Sequence, residues 1–405
     1  MQDPHGESID EQIPSEGAEQ TQLPRFSFSR GAFSCSFRKV SDAKPFWREE
    51  WPLLAVWGSA AAWLVQGQGW LDGLDSLPVA AGALGWIAAA ILLASFAVVR
   101  HADVLAERFG EPYGTMILTF SVISLEVLMI GALMLQGDQP TLARDTMYSV
   151  IMIVLGALVG ACLLLGGLKF HEQSFNLQGA TSYLALILPL AFIGLVLPDF
   201  TRSGATGVFS RGHAIGLVIL SVAVYAVFLL VQTSRYRGFF MHDPEDALPH
   251  EHVNSKRPSW FHALLLLVYI VPVVILAKKL AGVLDFTAET SGLPAAVGGL
   301  IVATLILAPE GLSAVQAALN NQLQRSVNIL LGSVLATIGL TIPAALAIGL
   351  FTGREVMLGL DPAEITLLFV TLSVAMLTFG QGRTNMLQGA IHLLVFGVYL
   401  FLIFD

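Results

Sequence analysis

The chain has 405 residues, of which 55% are apolar and only 13% are charged, and its mean hydropathy is +0.71. Soluble domains carry roughly 25% charged residues, so this composition excludes a soluble protein and indicates a polytopic membrane protein. We expect the lipid bilayer as its surroundings and no nucleic acid as a partner. The net charge of −9 does not decide orientation, which depends on where lysine and arginine lie.

The N-terminal residues 1–46 are polar and rich in Glu, Gln, Ser and Pro, and they contain no apolar run that resembles a signal peptide. This pattern predicts a disordered cytoplasmic tail. The two cysteines, Cys35 and Cys162, fall in this tail and in an apolar segment. A disulfide framework or a thiolate metal site is therefore not expected, and no cofactor is predicted.

Eleven apolar segments of spanning length follow, if a span takes about 20 residues. The first of them belongs to an extra transmembrane helix within residues 47–70. The predicted segments are Trp51–Gln66, Leu77–Val99, Tyr113–Gln136, Thr146–Leu168, Ala180–Leu197, Gly212–Gln232, Trp260–Leu280, Leu293–Asn320, Gln324–Leu350, Asp361–Phe379 and Leu387–Phe404.

The distribution of basic residues predicts the orientation of these segments. With a cytoplasmic N-terminus, most lysines and arginines lie in the inner loops and fewer lie in the outer ones. An odd number of spans then places the C-terminus outside, and we expect a multi-pass protein of the bacterial inner membrane.

Two of the predicted spans carry an acidic residue near their middle, Glu126 in the third and Glu310 in the eighth. An isolated charge there costs roughly 2.5–3.5 kcal/mol on insertion scales, so each acid indicates a function. Pro309 precedes Glu310 and removes a backbone donor, which predicts that the helix loosens at the acid and frees the carbonyl of Leu305. The two glutamates are therefore the predicted cation and proton ligands.

The positions of these acids indicate an internal repeat. Each acid lies in the second span of a five-span unit, which predicts repeats at 71–233 and 260–405 joined by a cytoplasmic linker at 234–259. The next span in each unit begins with the same dipeptide, Ser149-Val150 and Ser326-Val327. Because five is odd, the second unit enters the membrane from the opposite side, and the shared site is expected where the two repeats meet.

Hydroxyl groups near the acids are candidates for further oxygen ligands. Ser313 follows Glu310 by about one turn, and Ser333 and Thr337 lie one turn apart on the ninth span. Ser149 is the fourth candidate. A hydroxyl in a membrane helix more often bonds its own backbone, so both interpretations stay open for these four residues.

The segments GEPYGTMILTFSVISLEV and APEGLSAVQAALNNQLQRSVNILLGSVLATIGLTIP resemble the two alpha-repeats of bacterial calcium/proton antiporters of the cation/proton exchanger type, within the cation/calcium exchanger superfamily. The resemblance covers nearly all of Trp47–Asp405. It implies that Glu126 and Glu310 bind the transported cation and that exchange with protons occurs by alternating access. Many members carry an amide near the position of Gly156, which here offers only its backbone, and this departure concerns ion selectivity.

Other polar residues support simpler interpretations. His392 in the last span has no acidic neighbour at helical spacing and is expected to be a buried, hydrogen-bonded histidine. Asp361, Pro362 and Glu364 are typical of a helix start. The linker is rich in histidine and acidic residues without zinc-site spacing, which favours a solvated linker over a cation-sensing patch.

The sequence therefore predicts an all-α membrane protein that is not an enzyme, with an extra N-terminal helix and two inverted five-helix repeats. We expect it to exchange cytoplasmic cations for protons, Ca²⁺ first and Na⁺ or K⁺ as alternatives. An intramembrane enzyme acting on a lipid substrate is the alternative from another class, although no nucleophile with a base is evident, and a channel is a third hypothesis. Association into a homo-oligomer stays open.

Overall fold

A computed structural model describes residues 49–110, 113–136, 140–201, 205–234, 236–240 and 257–404, and these residues form eleven main helices. The predicted tail 1–46 lies outside the described residues, as does most of the predicted linker 234–259. The helices are α1 (Trp51–Asp72), α2 (Leu77–Phe109), α3 (Tyr113–Gln136), α4 (Leu142–Phe170), α5 (Leu177–Phe200), α6 (Arg211–Thr233), α7 (Ser259–Ser291), α8 (Ala295–Leu319), α9 (Leu323–Thr352), α10 (Pro362–Phe379) and α11 (Met386–Leu402).

Nine helices of the described residues, α2 to α10, are long and apolar enough to cross a membrane. Helix α11 is apolar but shorter, and α1 is not among the nine. The prediction of an all-α, multi-pass membrane protein with about eleven helices is confirmed. Helices α2 and α7 have 33 residues each and exceed their predicted lengths, because the polar ends of both segments continue the helix. At 1.5 Å per residue each is about 50 Å long, whereas the hydrocarbon core is about 30 Å thick.

The apolar side chains form two separate cores. One core joins α1, α2 and α7 to one face of α3 and one face of α8. The other core contains the remaining helices together with the opposite faces of α3 and α8. Leu125 and Ile123 of α3 illustrate the division, since they belong to different cores. The two acid-bearing helices therefore lie between a three-helix unit and the rest of the molecule.

Helix α1 is attached to α7 by a hydrogen bond at a proline. Pro272 lies inside α7 and has no N–H to offer to the carbonyl of Val268 one turn earlier. The indole Nε1 of Trp57 donates to that carbonyl at 3.2 Å. The extra helix thus satisfies a backbone acceptor that the proline leaves free.

A buried polar network holds the residue just before α1. Glu50 Oε2 lies 2.7 Å from Arg100 Nη2 and 3.5 Å from His101 Nε2, and it accepts a 2.9 Å hydrogen bond from the hydroxyl of Tyr269. The Nδ1 atoms of His101 and His262 are 2.9 Å apart. Burial alone would raise the pKa of Glu50, but the hydrogen bond with His101, the charge of Arg100 and the hydrogen bond from Tyr269 lower it from 4.5 to about 2.

A short antiparallel strand pair connects the two halves of the chain. Strand β1 (Glu172–Ser174) follows α4, and strand β2 (Arg383–Asn385) precedes α11. The side chains of Asn176 and Asn385 then accept backbone N–H groups at the starts of α5 and α11. The register pairs Glu172 with Asn385, Gln173 with Thr384 and Ser174 with Arg383.

The start of α10 agrees with its sequence pattern. Asp361 and Glu364 form a reciprocal capping box around Pro362, so the predicted helix start is confirmed. The loop before α10 also packs on the end of α5, because the N–H of Leu360 donates to the carbonyl of Leu195 at 3.0 Å.

Candidate functional site

Glu126 lies in α3 with only 4% of its surface exposed. Its Oε2 accepts a 3.2 Å hydrogen bond from the hydroxyl of Thr337, which is fully buried in α9. Its Oε1 has no hydrogen-bond partner among the described residues. The hydroxyl of Thr341, one turn further along α9, lies near enough to interact with this carboxylate and is also without a hydrogen-bond partner in the described part of the chain.

Glu310 supplies the second carboxylate, from α8. The residue is half-buried, while its Oε2 is sealed from solvent and has no hydrogen-bond partner among the residues the structure describes. Its carboxylate interacts with the hydroxyl of Ser333, one turn before Thr337 on α9. The charges of Glu126 and Glu310 also interact with each other. One face of α9 therefore contacts both acids and brings them to a common site.

The two acid-bearing helices each pack against the third helix of the opposite half. Helix α8 of the second half packs closely on α4. A Cβ at Gly299 would lie 2.6 Å from the backbone of Asp145, and a Cβ at Gly311 would lie 2.8 Å from Leu158. In the first half, Glu126 of α3 contacts Thr337 of α9. Small residues allow such close approach in membrane helices, and this cross-packing places both acids between the halves.

Irregular backbone occurs on the helices that face the acids. Helix α4 contains a π-helical segment at Ile153–Leu158, and α9 contains one at Thr337–Thr341. Helix α5 has a third, at Phe192–Val196. The predicted loosening of α8 at Pro309 is wrong, because α8 is continuous from Ala295 to Leu319. Neighbouring helices make a proline tolerable inside a membrane helix. The irregular backbone lies instead in the π-helical segments of α4, α5 and α9.

The four candidate hydroxyls have different surroundings. Thr337 and Ser333 contact the two carboxylates. Ser313 donates to the carbonyl of Pro309 in its own helix at 3.0 Å, which is the simpler interpretation. Ser149 pairs with the hydroxyl of Tyr399 at 2.6 Å. The structure thus brings two of the four to the acids, and their role as ligands stays a prediction.

The shared Ser-Val dipeptides are not equivalent positions. Both were expected at the start of their helices, but Ser149 lies two turns into α4, whereas Ser326 lies in the first turn of α9. The π-helical segments begin shortly after Ser149 in α4 but three turns after Ser326 in α9. The dipeptide match therefore does not align the two helices.

Gly156 is a packing position. A Cβ at Gly156 would lie 2.9 Å from the Cβ of Phe396 in α11, so an amide side chain there would require α11 to move. Gly339 has the same relation to α6, where a Cβ would lie 2.9 Å from the ring of Tyr225. The π-helical segments of α4 and α9 thus each contain a glycine packed closely against an aromatic residue.

His392 is a buried, hydrogen-bonded histidine, as predicted. It is fully buried in α11, and its Nδ1 lies 2.5 Å from the carbonyl of Leu155 while its Nε2 lies 3.0 Å from the hydroxyl of Thr378. Sequence reasoning missed Thr341, although Ser333, Thr337 and Thr341 follow one another at one-turn spacing and this periodicity could have found it.

The site combines two buried carboxylates with several hydroxyls and leaves oxygen atoms free for another partner. Carboxylate and hydroxyl oxygens bind hard cations such as Ca²⁺, and carboxylates also accept protons. A helical bundle in which each half contributes one acid to a shared site has the architecture of a secondary transporter.

The chain belongs to the sodium/calcium exchanger protein family, whose sequence profile matches residues 79–234 and 261–404. The two separate matches indicate that the halves are copies of one repeat. Each copy contains five helices, α2–α6 and α7–α11, so the second copy has the inverted orientation if all five cross the membrane.

Relatives and solved structures agree with this family. The chain is 46% identical over 319 residues to the sodium-potassium/proton antiporter ChaA of Escherichia coli (strain K12), covering 78% of this chain and 86% of ChaA. It is 26% identical over 280 residues to the Ca²⁺/H⁺ antiporter of Aphanothece halophytica, covering 66% and 75% of the two chains. The alternative of an intramembrane lipid enzyme gains no support from these relatives.

Two solved structures share the fold. The structure of native YfkE superimposes with a TM-score of 0.68 at 17% identity, covering 87% of this chain and 99% of that chain. The H⁺/Ca²⁺ exchanger CAX gives a TM-score of 0.61 at 16% identity, covering 88% and 89%. At these identities the likeness establishes the fold alone.

Proposed function

We propose that this protein is a cation/proton antiporter of the bacterial inner membrane in which Glu126 and Glu310 form one shared site for the cation and for protons. Cytoplasmic cations leave the cell in exchange for protons that enter down their gradient. The N-terminus is cytoplasmic and the C-terminus lies outside. Domain limits at 1–46, 47–70, 71–233, 234–259 and 260–405 are part of this proposal.

One observation carries the proposal. Two carboxylates from opposite halves interact with each other and with a single face of α9, and each keeps an oxygen without a hydrogen-bond partner among the described residues. Buried polar atoms are normally hydrogen-bonded. Unpartnered oxygens on two adjacent acids therefore support an exchangeable partner at this place.

The chemistry of the pair couples the two ions. Two carboxylates in a poorly solvated site repel each other, so states in which protons or a cation neutralise them are favoured. The same oxygens cannot hold both at once. If the protein changes between inward-open and outward-open states only when the pair is neutralised, cation movement in one direction requires proton movement in the other.

The cation is proposed from ligand chemistry and from similarity. Two carboxylates with Ser333, Thr337 and Thr341 nearby offer oxygen ligands of the kind that Ca²⁺ takes in numbers of six to eight. Calcium is therefore the first candidate. Sodium and potassium are the second, because the relative that is 46% identical is named a sodium-potassium/proton antiporter.

The test is flux in sealed proteoliposomes that hold a pH gradient and a pH-sensitive dye. We expect wild-type protein to release protons when Ca²⁺, Na⁺ or K⁺ is added in separate experiments, and the responding cations define the substrate. Glu126→Gln and Glu310→Gln each remove one charge with little change in shape. Both variants should reduce the cation-dependent flux to the level of empty vesicles.

A matched control uses the same substitution outside the site. Glu289 is exposed near the end of α7, so Glu289→Gln should exchange at the wild-type rate. The assignment of the site would be wrong if Glu310→Gln exchanged as fast as the control. The antiporter proposal itself would be wrong if wild-type vesicles gave no proton flux with any of the three cations.

A further inference from the structure

His392, which is not part of the acid pair, is hydrogen-bonded to the π-helical segment of α4. The imidazole of His392 projects from α11, and its Nδ1 lies 2.5 Å from the carbonyl oxygen of Leu155, inside the π-helical segment Ile153–Leu158. Nε2 lies 3.0 Å from the hydroxyl of Thr378 on α10. Since a carbonyl only accepts, Nδ1 carries a proton, and in a neutral ring Nε2 then accepts from the threonine hydroxyl. Both nitrogens of a neutral ring are thereby used.

The π-helical segment in turn borders the site on its α4 side. Leu158, its last residue, packs against Gly311, where a Cβ would lie 2.8 Å away. Gly311 directly follows Glu310. A π turn contains one more residue than an α turn, so its collapse would rotate part of α4 by about 100°. That rotation would move Leu158 away from α8 beside the acid.

The second half of the protein lacks this arrangement. There the π-helical segment Thr337–Thr341 touches Glu126 directly through Thr337. Its glycine, Gly339, packs on Tyr225 of α6 as Gly156 packs on Phe396 of α11. One turn before Phe396 is His392, whereas one turn before Tyr225 is the buried Ser221. The imidazole therefore marks a difference between two otherwise matching contacts.

We propose that His392 is a positioning residue of the transport site: its Nδ1–H donates to the carbonyl of Leu155, fixes the π turn of α4 and thereby sets the position of Glu310. This inference rests on the proposed function and assigns a specific part of it. In this assignment the imidazole is neutral and acts through its hydrogen bonds, with Nδ1 donating to Leu155 and Nε2 paired with Thr378.

Three substitutions at His392 separate its two hydrogen bonds. In His392→Asn the amide nitrogen stands where Nδ1 stands, so the bond to Leu155 is kept and the bond to Thr378 is lost. In His392→Gln the amide reaches the place of Nε2, so the opposite holds. His392→Leu removes both bonds, and Ser221→Ala is the control at the corresponding position on α6.

Cation binding is measured from the melting temperature of detergent-purified protein, titrated with CaCl₂ and, in a parallel series, with KCl. The concentration that gives half of the maximal increase reports the affinity. Exchange in proteoliposomes gives the apparent KM, the maximal rate and their pH profile. We expect His392→Gln and His392→Leu to weaken binding and raise the apparent KM about tenfold, as outer-shell substitutions do at metal sites. His392→Asn and Ser221→Ala should stay close to wild type, with the same pH profile in all variants.

Two results would overturn the inference. If His392→Asn weakened cation binding as much as His392→Leu, the bond to Leu155 would not be the relevant contact. If the midpoint of the pH profile moved with every substitution at His392, the imidazole would take part in proton movement. The melting titration requires no transport, so this inference can fail while the proposed antiport stands, and absent flux in wild type would refute the antiport separately.

Discussion

Glu50 and Glu126 are equally buried, each with 4% of its surface exposed, yet their surroundings are opposite. Glu50 has a guanidinium, an imidazole and a phenol around one carboxylate oxygen. Glu126 accepts a hydrogen bond from Thr337, interacts with the charge of Glu310 and keeps an oxygen without a partner among the described residues. Burial alone therefore does not distinguish the two acids. They differ in the unpartnered oxygen of Glu126.

Each arrangement has a different consequence for the fold. The partners of Glu50 are residues of the protein itself, so this network joins α1 to α2 and α7 without a bound ion. In the proposed function a cation or protons complete the pair of Glu126 and Glu310, so the energy of the pair would depend on what occupies it. We therefore expect changes at the first acid to alter stability and changes at the second site to alter exchange.

The largest expected effect comes from giving the acid pair a permanent cation. Ser333→Lys places an ammonium group beside Glu310 and makes the site resemble that of Glu50. Exchange in proteoliposomes should fall to the level of empty vesicles, because a tethered charge cannot be exchanged. Ser333→Met has a similar length without the charge and should retain measurable exchange. Equal loss in both variants would indicate that size, and not the fixed charge, blocks the site.

The second prediction concerns Glu50. Glu50→Gln removes the charge that Arg100 pairs with and weakens the hydrogen bonds from His101 and Tyr269, which should lower the free energy of unfolding by about 1–3 kcal/mol. The melting temperature in detergent should therefore drop. Per-molecule exchange at a temperature below the transition should match wild type. If Glu50→Gln kept the wild-type melting temperature and lost exchange, Glu50 would act in transport and not in stability.

The pH dependence of this effect has a definite sign. The pKa of Glu50 is lowered from 4.5 to about 2, so its charged form stabilises the folded state fully above about pH 4.5 and progressively less as the pH falls toward 2. The difference in melting temperature between wild type and Glu50→Gln should shrink as the pH falls below 4.5, where Glu50 begins to lose its advantage over the unfolded chain. A difference that stayed unchanged down to pH 3 would contradict the assignment.

Much of this comparison could be predicted from the sequence. Apolar segments of spanning length gave the helices, and the acids within them stood out because charge inside a membrane is costly. The pairing of Glu50 could not be predicted, since its partners lie about 50 to 220 positions away in the chain. The π-helical segments of α4 and α9 could not be predicted either. Their glycines, Gly156 and Gly339, carry no signal that separates a π turn from ordinary helix packing.

The wrong predictions have physical reasons. The sequence placed the irregular backbone at Pro309, where a hydrogen bond must be lost, whereas α8 remains helical and the widened turns lie on α4 and α9. Ser149 was a candidate ligand as a hydroxyl on the fourth span, but it is hydrogen-bonded to Tyr399 of α11. Both outcomes depend on which helix packs on which, and spacing along one segment does not contain that information.

A smaller effect is expected at Thr337, whose hydroxyl donates to Glu126. Thr337→Val keeps the shape of the side chain and removes the oxygen, and losing one hydrogen bond of about 1 kcal/mol should raise the apparent KM for the cation about fivefold. Thr337→Ser keeps the hydroxyl and should be close to wild type. If valine and serine behaved alike, Thr337 would be packing beside the acid without contributing to the site.

The smallest expected effect concerns a second contact that joins α1 to the rest of the protein, the hydrogen bond from Trp57 to α7. Trp57 satisfies the carbonyl of Val268 that Pro272 leaves without its helical donor, so Trp57→Phe keeps most of the ring contact and removes one hydrogen bond. The free energy of unfolding should fall by about 0.5–1.5 kcal/mol, seen as a small decrease in the melting temperature in detergent. Cation-dependent proton flux should stay unchanged, because this bond joins α1 to α7 and lies outside the acid pair. A marked loss of flux would mean that the position of α1 is coupled to exchange.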